Sequence, residues 1–121
     1  MLTSSAKAKG RRLQQWVRDL ILDLFPTLEE DDVKSTSMGA GGEDIQLSPA
    51  ARKLMPITVE CKNKKSFAVY KDYEQSVSHS KNRDGHTISE PVLVIKGDRK
   101  KPLAVVDATH YFRLLREVAD D

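Results

Sequence analysis

A glutamate and a lysine two residues apart close the run Pro56-Ile57-Thr58-Val59-Glu60-Cys61-Lys62. In a β-strand successive side chains point to opposite faces, so Ile57, Val59 and Cys61 turn one way, into a core, and Thr58, Glu60 and Lys62 the other. A carboxylate and an ammonium then stand side by side at a strand end, a compact site for a metal and a phosphate. A second carboxylate lies in Glu43-Asp44-Ile45-Gln46-Leu47. This alternation reads as a short strand with Ile45 and Leu47 inward and Asp44 and Gln46 on the opposite face. Paired carboxylates bind a hard cation such as Mg²⁺, because their anionic oxygens partly replace its water shell. Such a cation polarises a phosphoryl oxygen and makes hydroxide available near neutral pH. With Lys62 directing positive charge toward the phosphate, Asp44, Glu60 and Lys62 have the parts needed for phosphodiester hydrolysis. A Glu-x-Lys triplet alone is common, and its plain reading is an exposed ion pair of little energetic worth.

The composition bounds what can surround this group. With 121 residues, one core is affordable and two are not, so residues 1–121 read as a single domain. The formal charge of +2 says little, but its distribution says more. Lys9, Arg11, Arg12, Lys64, Lys65, Lys81 and Arg83 fall in basic clusters suited to phosphate contacts, which hold a DNA backbone and read little sequence. A single cysteine, Cys61, excludes an internal disulfide and a multi-cysteine zinc site, and fits a reducing cytoplasm. No apolar run is long enough to span a bilayer and Met1 to Lys9 has no signal-peptide core, so a soluble, cytoplasmic protein with no membrane partner is expected. His79, His86 and His110 share no metal-ligand spacing and read as surface or capping residues. The glycines of Met38-Gly39-Ala40-Gly41-Gly42 lack the lysine and Ser/Thr that complete a P-loop, which leaves a hairpin connection or a DNA-approaching loop.

The elements that position the group follow from periodicity. Leu13, Trp16, Val17, Leu20, Ile21 and Leu24 line one face of a helix capped by Ser4 or Ser5 and stopped by Pro26. On this stripe Trp16 reads as a core anchor rather than a base-stacking platform. Thr27 to Asp32 is a connector that can form one turn capped through Thr27 and Glu30, and Val33 to Ser37 is a strand. Ser48 to Leu54 is a loop or brief turn with Pro49 in a first helical position. Ser66 caps a helix with apolar positions Val69, Tyr70, Tyr73 and Val77. His79 to Glu90 is an exposed loop, and Pro91 to Lys96 a central strand covered on both faces. Gly97 to Pro102 turns the chain into a hairpin with Leu103 to Val106. Asp107 or Thr109 then caps a last helix with Phe112, Leu115, Val118 and Ala119 on its apolar side. The order α-β-β-β-α-β-β-α describes an α/β fold, a mixed central β-sheet flanked by helices.

A first helix, a glycine-rich hairpin with an acid, a strand ending in acid-x-lysine and a following helix together resemble the PD-(D/E)XK nuclease superfamily. The likeness runs from Lys9-Gly10-Arg11-Arg12 to Val105-Val106-Asp107 and is closest to archaeal-type Holliday junction resolvases and related phage endonucleases. It implies a restriction-endonuclease-like core in which Asp44, Glu60 and the backbone carbonyl of Cys61 hold Mg²⁺, with Mn²⁺ as a substitute, and Lys62 supports attack. It also implies branched DNA as substrate and a homodimer, since symmetric cutting of two strands needs two sites related by a two-fold axis. Gln75, on the helix after the lysine, is similar to a downstream polar residue of the family that reaches the site; its alternative is a solvent-facing glutamine. Two positions depart from the pattern. Glu43 stands where the motif name has proline, and Gln14 and Gln15 stand where many relatives carry a glutamate. Gln14 can orient water but contributes no charge.

Two other readings use the same residues. A sequence-specific homing or restriction-like endonuclease would keep this face and change its loops. A non-catalytic DNA-binding module would keep the architecture without the cutting.

Overall fold

The computed structural model describes residues 3–36, 43–80 and 89–120. The glycine-rich hairpin tip, His86, Lys81 and Arg83 lie outside the described residues.

Helix α1, Ser4–Leu24, is capped by Thr3, whose side chain accepts the Ala6 N–H at 3.1 Å, rather than by Ser4 or Ser5. It ends before Pro26 as predicted. Its buried side is Leu13, Gln14, Val17 and Ile21. Trp16 is 45% exposed, so the expectation of a core anchor is wrong. The apolar arc of α1 is wider than the surface offered by a sheet whose strands β1, Val33–Ser35, and β2, Ile45–Leu47, are three residues long. The sheet covers the side with Val17 and leaves the side with Trp16 and Leu20 half open.

The connector forms a 3-10 turn at Glu30–Asp32, closed by Glu29 and Asp32 rather than Thr27 and Glu30. Asp32 also accepts the Ser48 hydroxyl at 2.7 Å. Ser48 in turn caps α2, Pro49–Leu54, where Pro49 needs no N–H partner. Thus one carboxylate ties the entry of β1 to the segment leading into β3, Ile57–Asn63.

Five strands follow the order β1-β2-β3-β4-β5, with β4 at Glu90–Lys96 and β5 at Leu103–Val105. Only β3 and β4 are parallel, and every other pair is antiparallel. A parallel pair needs a crossover, and α3, Val69–His79, supplies it and packs on β4 and β3. On the α1 side of the sheet Val33, Ile45, Val59, Cys61 and Val94 meet Leu13, Val17 and Ile21 in the core.

Helix α3 corrects three expectations. Ala68 precedes it with no side-chain cap, so Ser66 does not start it. Its buried positions are Asp72 and Ser76, with Ser80 just beyond, while Tyr70 is 85% exposed. Small serines spaced every fourth residue let the helix lie close to the sheet, their hydroxyls satisfied by the carbonyls of Tyr73 and Val77. Third, the segment read as an exposed loop begins inside this helix with His79 and is anchored by buried residues at both described ends, Ser80 and Ser89.

The final helix α4, Ala108–Ala119, is capped by Asp107, which accepts the His110 N–H at 3.0 Å. None of its residues is buried. No described helix is long and apolar enough to cross a membrane.

Candidate active site

Asp44 immediately precedes the Ile45↔Val59 pair of the β2–β3 ladder and neighbours Glu60. Asp44 is held from three directions. Its N–H donates to the Val59 carbonyl at 3.0 Å, its carbonyl accepts the Thr36 N–H at 2.8 Å, and its Oδ2 accepts the Cys61 N–H at 2.6 Å. Thr36 further donates its hydroxyl to the Glu43 carbonyl. Glu43, where the motif name has proline, forms an ion pair with Arg52, whose guanidinium also donates to the Ile57 carbonyl at 3.0 Å. The base of the hairpin is therefore pinned on both sides of the acid.

Glu60 is buried on the α3 face of β3, 6% exposed. Burial and the neighbouring Asp44 charge push its carboxyl up to about 7, against a hydrogen bond from His79 that favours the ionised form. A hydrogen bond shared with Asp44 also favours the protonated form. Lys62 lies two residues on, on the same face by alternation and half-buried, and makes no hydrogen bond or ion pair with a described residue. Cys61 points to the opposite side, into the core, and burial raises its thiol far above the ordinary value, so the side chain stays out of the chemistry.

His79 is the residue that sequence reasoning missed. The last residue of α3, it bonds through Nδ1 to Glu60 Oε1. No local pattern marks it, because nineteen residues and a crossover separate the partners. Gln75 sits one turn earlier on the same helix and is exposed, with no contact joining its amide to either carboxylate. Gln14 is buried on α1, on the sheet's other face, beside Leu13 and Val17.

The basic residues divide. Lys64 lies 3.2 Å from the buried Asp72 carboxylate and over the Phe67 ring, and Lys9 lies 2.9 Å from Asp98, so both have carboxylate partners. Arg11, Arg12 and Lys65 are exposed.

Among the described residues no three His, Cys, Asp or Glu side chains gather as a metal-binding group. The donor set at the site is the Asp44–Glu60 carboxyl pair. It suits Mg²⁺, which keeps several waters and needs one or two carboxylates besides phosphate oxygens. Asp44 and Glu60 supply those two, and the repulsion between them is the charge a cation would neutralise. Comparison of the chain with protein-family models, curated proteins and solved structures gives no match.

Proposed function

We propose that the chain is a metal-dependent DNA endonuclease of the PD-(D/E)XK type, hydrolysing phosphodiester bonds in branched DNA, with four-way junctions the leading substrate. The observation that carries this reading is the convergence of the Asp44 and Glu60 carboxylates from neighbouring segments, with Lys62 on the same face of β3 by alternation. An antiparallel three-strand run, a crossover helix and a parallel fourth strand support a restriction-endonuclease-like core. Mg²⁺, or Mn²⁺ in its place, would be held by Asp44, Glu60 and the Cys61 carbonyl, and would supply Lewis-acid polarisation of the phosphate. Lys62 meets the developing negative charge, and His79 fixes the rotamer of Glu60. Arg11, Arg12 and Lys65 face solvent, where a phosphate backbone can reach them.

A homodimer completes the reading, with α4 as its face. Tyr111, Phe112, Leu114, Leu115 and Val118 are all large and exposed, and no other described element makes extended contact along this helix. A contiguous exposed apolar face of this kind fits an interaction surface.

The test is Mg²⁺-dependent cleavage of linear, nicked, flapped and four-way DNA by wild type and by Asp44→Ala, Glu60→Ala and Lys62→Ala. Cutting of the four-way substrate by wild type and loss of it in each folded variant is expected. Equal nicking by wild type and the triple variant sinks the catalytic assignment. DNA retention in a gel shift without cut ends favours the binding module instead.

A further inference from the structure

A cavity of about 540 Å³ opens at the carboxyl ends of β3 and β4, on the face of the sheet opposite Glu60. Its floor is Asn63, the last residue of β3, whose amide donates to the Lys9 carbonyl at 3.1 Å and so fixes α1 over the strand end. One wall is the exposed side of α1 with Trp16, and the other is the β4–β5 turn. Ligand pockets commonly have this size.

Two independent features give the cavity its chemistry. Its charge is lopsided: Lys9, Arg12, Lys96 and Arg99 line it against the single carboxylate of Asp98, which Lys9 already pairs at 2.9 Å. Arg12 and Arg99 make no ion pair with a described residue, while Lys96 donates to the Gly97 carbonyl and lies in the field of Asp98. The second feature is backbone strain. Arg99 has φ 58°, and it is the sole non-glycine residue with positive φ among those described. Glycine or asparagine is the usual occupant of that conformation. This arginine stands at the rim of the basic cavity.

An aromatic face beside unmatched guanidinium groups matches a base with its phosphate, since every base can stack and the phosphate meets the cations. We propose that this cavity binds one nucleoside phosphate unit, the base stacked on Trp16 and the phosphate on Arg12, Lys96 and Arg99. The source of the unit is an unpaired nucleotide of a DNA strand or a free nucleotide. In the first case the inference rests on the nuclease reading. Glu60 and Asn63 are three residues apart on β3, about 10 Å, and face opposite sides of the sheet, so a strand that meets both has to cross the carboxyl end of β3.

Trp16 is the single tryptophan of the chain, and its emission reports the site directly. The full chain is titrated with a short single-stranded oligonucleotide, with dAMP and with blunt duplex DNA, and oligonucleotide affinity is measured in parallel by anisotropy. Quenching by the oligonucleotide well before the duplex assigns the unit to a strand, and comparable quenching by dAMP assigns it to a free nucleotide. No quenching by either overturns the proposal. Trp16→Ala should weaken oligonucleotide binding about 5- to 100-fold, the range of one lost base stack. Arg99→Gly should also weaken it while leaving the melting temperature equal or higher, because glycine accepts the left-handed backbone; unchanged affinity in both variants overturns the proposal. Glu60→Gln separates the two readings. Quenching retained when cutting is lost supports both, quenching in a wild type that never cuts removes the nuclease alone, and cutting without quenching removes the cavity alone.

Discussion

The Oδ2 of Asp44 accepts the backbone N–H of Cys61 at 2.6 Å, so the acid of one strand is fastened to the strand that carries Glu60, one residue past it. While Glu60 holds its proton the two carboxyls share a hydrogen bond, and once it ionises backbone geometry keeps two like charges together. Holding them together therefore has an energetic cost in the absence of a cation, and that cost is measurable.

Folded Glu60 keeps its proton up to about 7, whereas in the unfolded chain it ionises near its ordinary 4.5. The stability linked to this group is fully present below about 4.5 and is lost as pH rises through about 7. With a chelator present, the melting temperature of wild type should fall over this window more than that of Glu60→Gln. At pH 8 added Mg²⁺ should raise the melting temperature of wild type and not of Glu60→Gln. Parallel pH profiles for the two proteins would contradict the placement of Glu60.

His79 restrains Glu60 from the end of α3. Partners that orient a ligating carboxylate typically contribute about 10–100-fold in metal affinity or activity. His79→Ala should reduce cleavage by that order, with part of the loss recovered at higher Mg²⁺. A loss that no Mg²⁺ concentration relieves would give His79 a direct part in the chemistry instead.

Phe112 and Val118 are 67% and 70% exposed on a helix with no buried residue. Sedimentation of wild type at micromolar concentration should show a dimer, and Phe112→Asp with Leu115→Glu should show a folded monomer. A monomeric wild type would remove α4 as a self-association face.

Burial separates two apolar residues that a sequence pattern treats alike. Ile45 is fully buried at the β2–β3 pairing, and Ile45→Ala should destabilise by ~2–5 kcal/mol in urea unfolding. Trp16→Ala should cost less than Ile45→Ala, because nearly half of the indole already meets solvent. A larger loss at Trp16 would place it in the core after all.

Asp32 accepts both the Glu29 N–H and the Ser48 hydroxyl, and these bonds hold its carboxyl below the ordinary carboxylate range. Its contribution is present above the unfolded value of 3.8 and is lost as pH falls through the depressed folded value. Asp32→Asn should lower the melting temperature at neutral pH and flatten the acid limb of the stability profile below pH 3.8. Unchanged curves would show that the tie between the 3-10 turn and α2 carries no stability.

Local periodicity determined much of this molecule. The alternation of Ile57 to Lys62 put Cys61 and Glu60 on opposite faces, and Pro26, Asp107 and the turn at Gly97 to Pro102 bounded their elements, because each is a property of neighbouring residues. Periodicity states which side chains share a face, and not what will cover that face. Only the tertiary structure decided that Trp16 would stay half open, that α3 would bury serines beneath an exposed Tyr70, and that α4 would stand uncovered. It alone brought His79 to Glu60, since the parallel β3–β4 pair requires a crossover whose far end returns over the strand it left. The cavity at Trp16 arises the same way, from α1, the end of β3 and the β4–β5 turn, three segments whose proximity is set by sheet order rather than by any local signal.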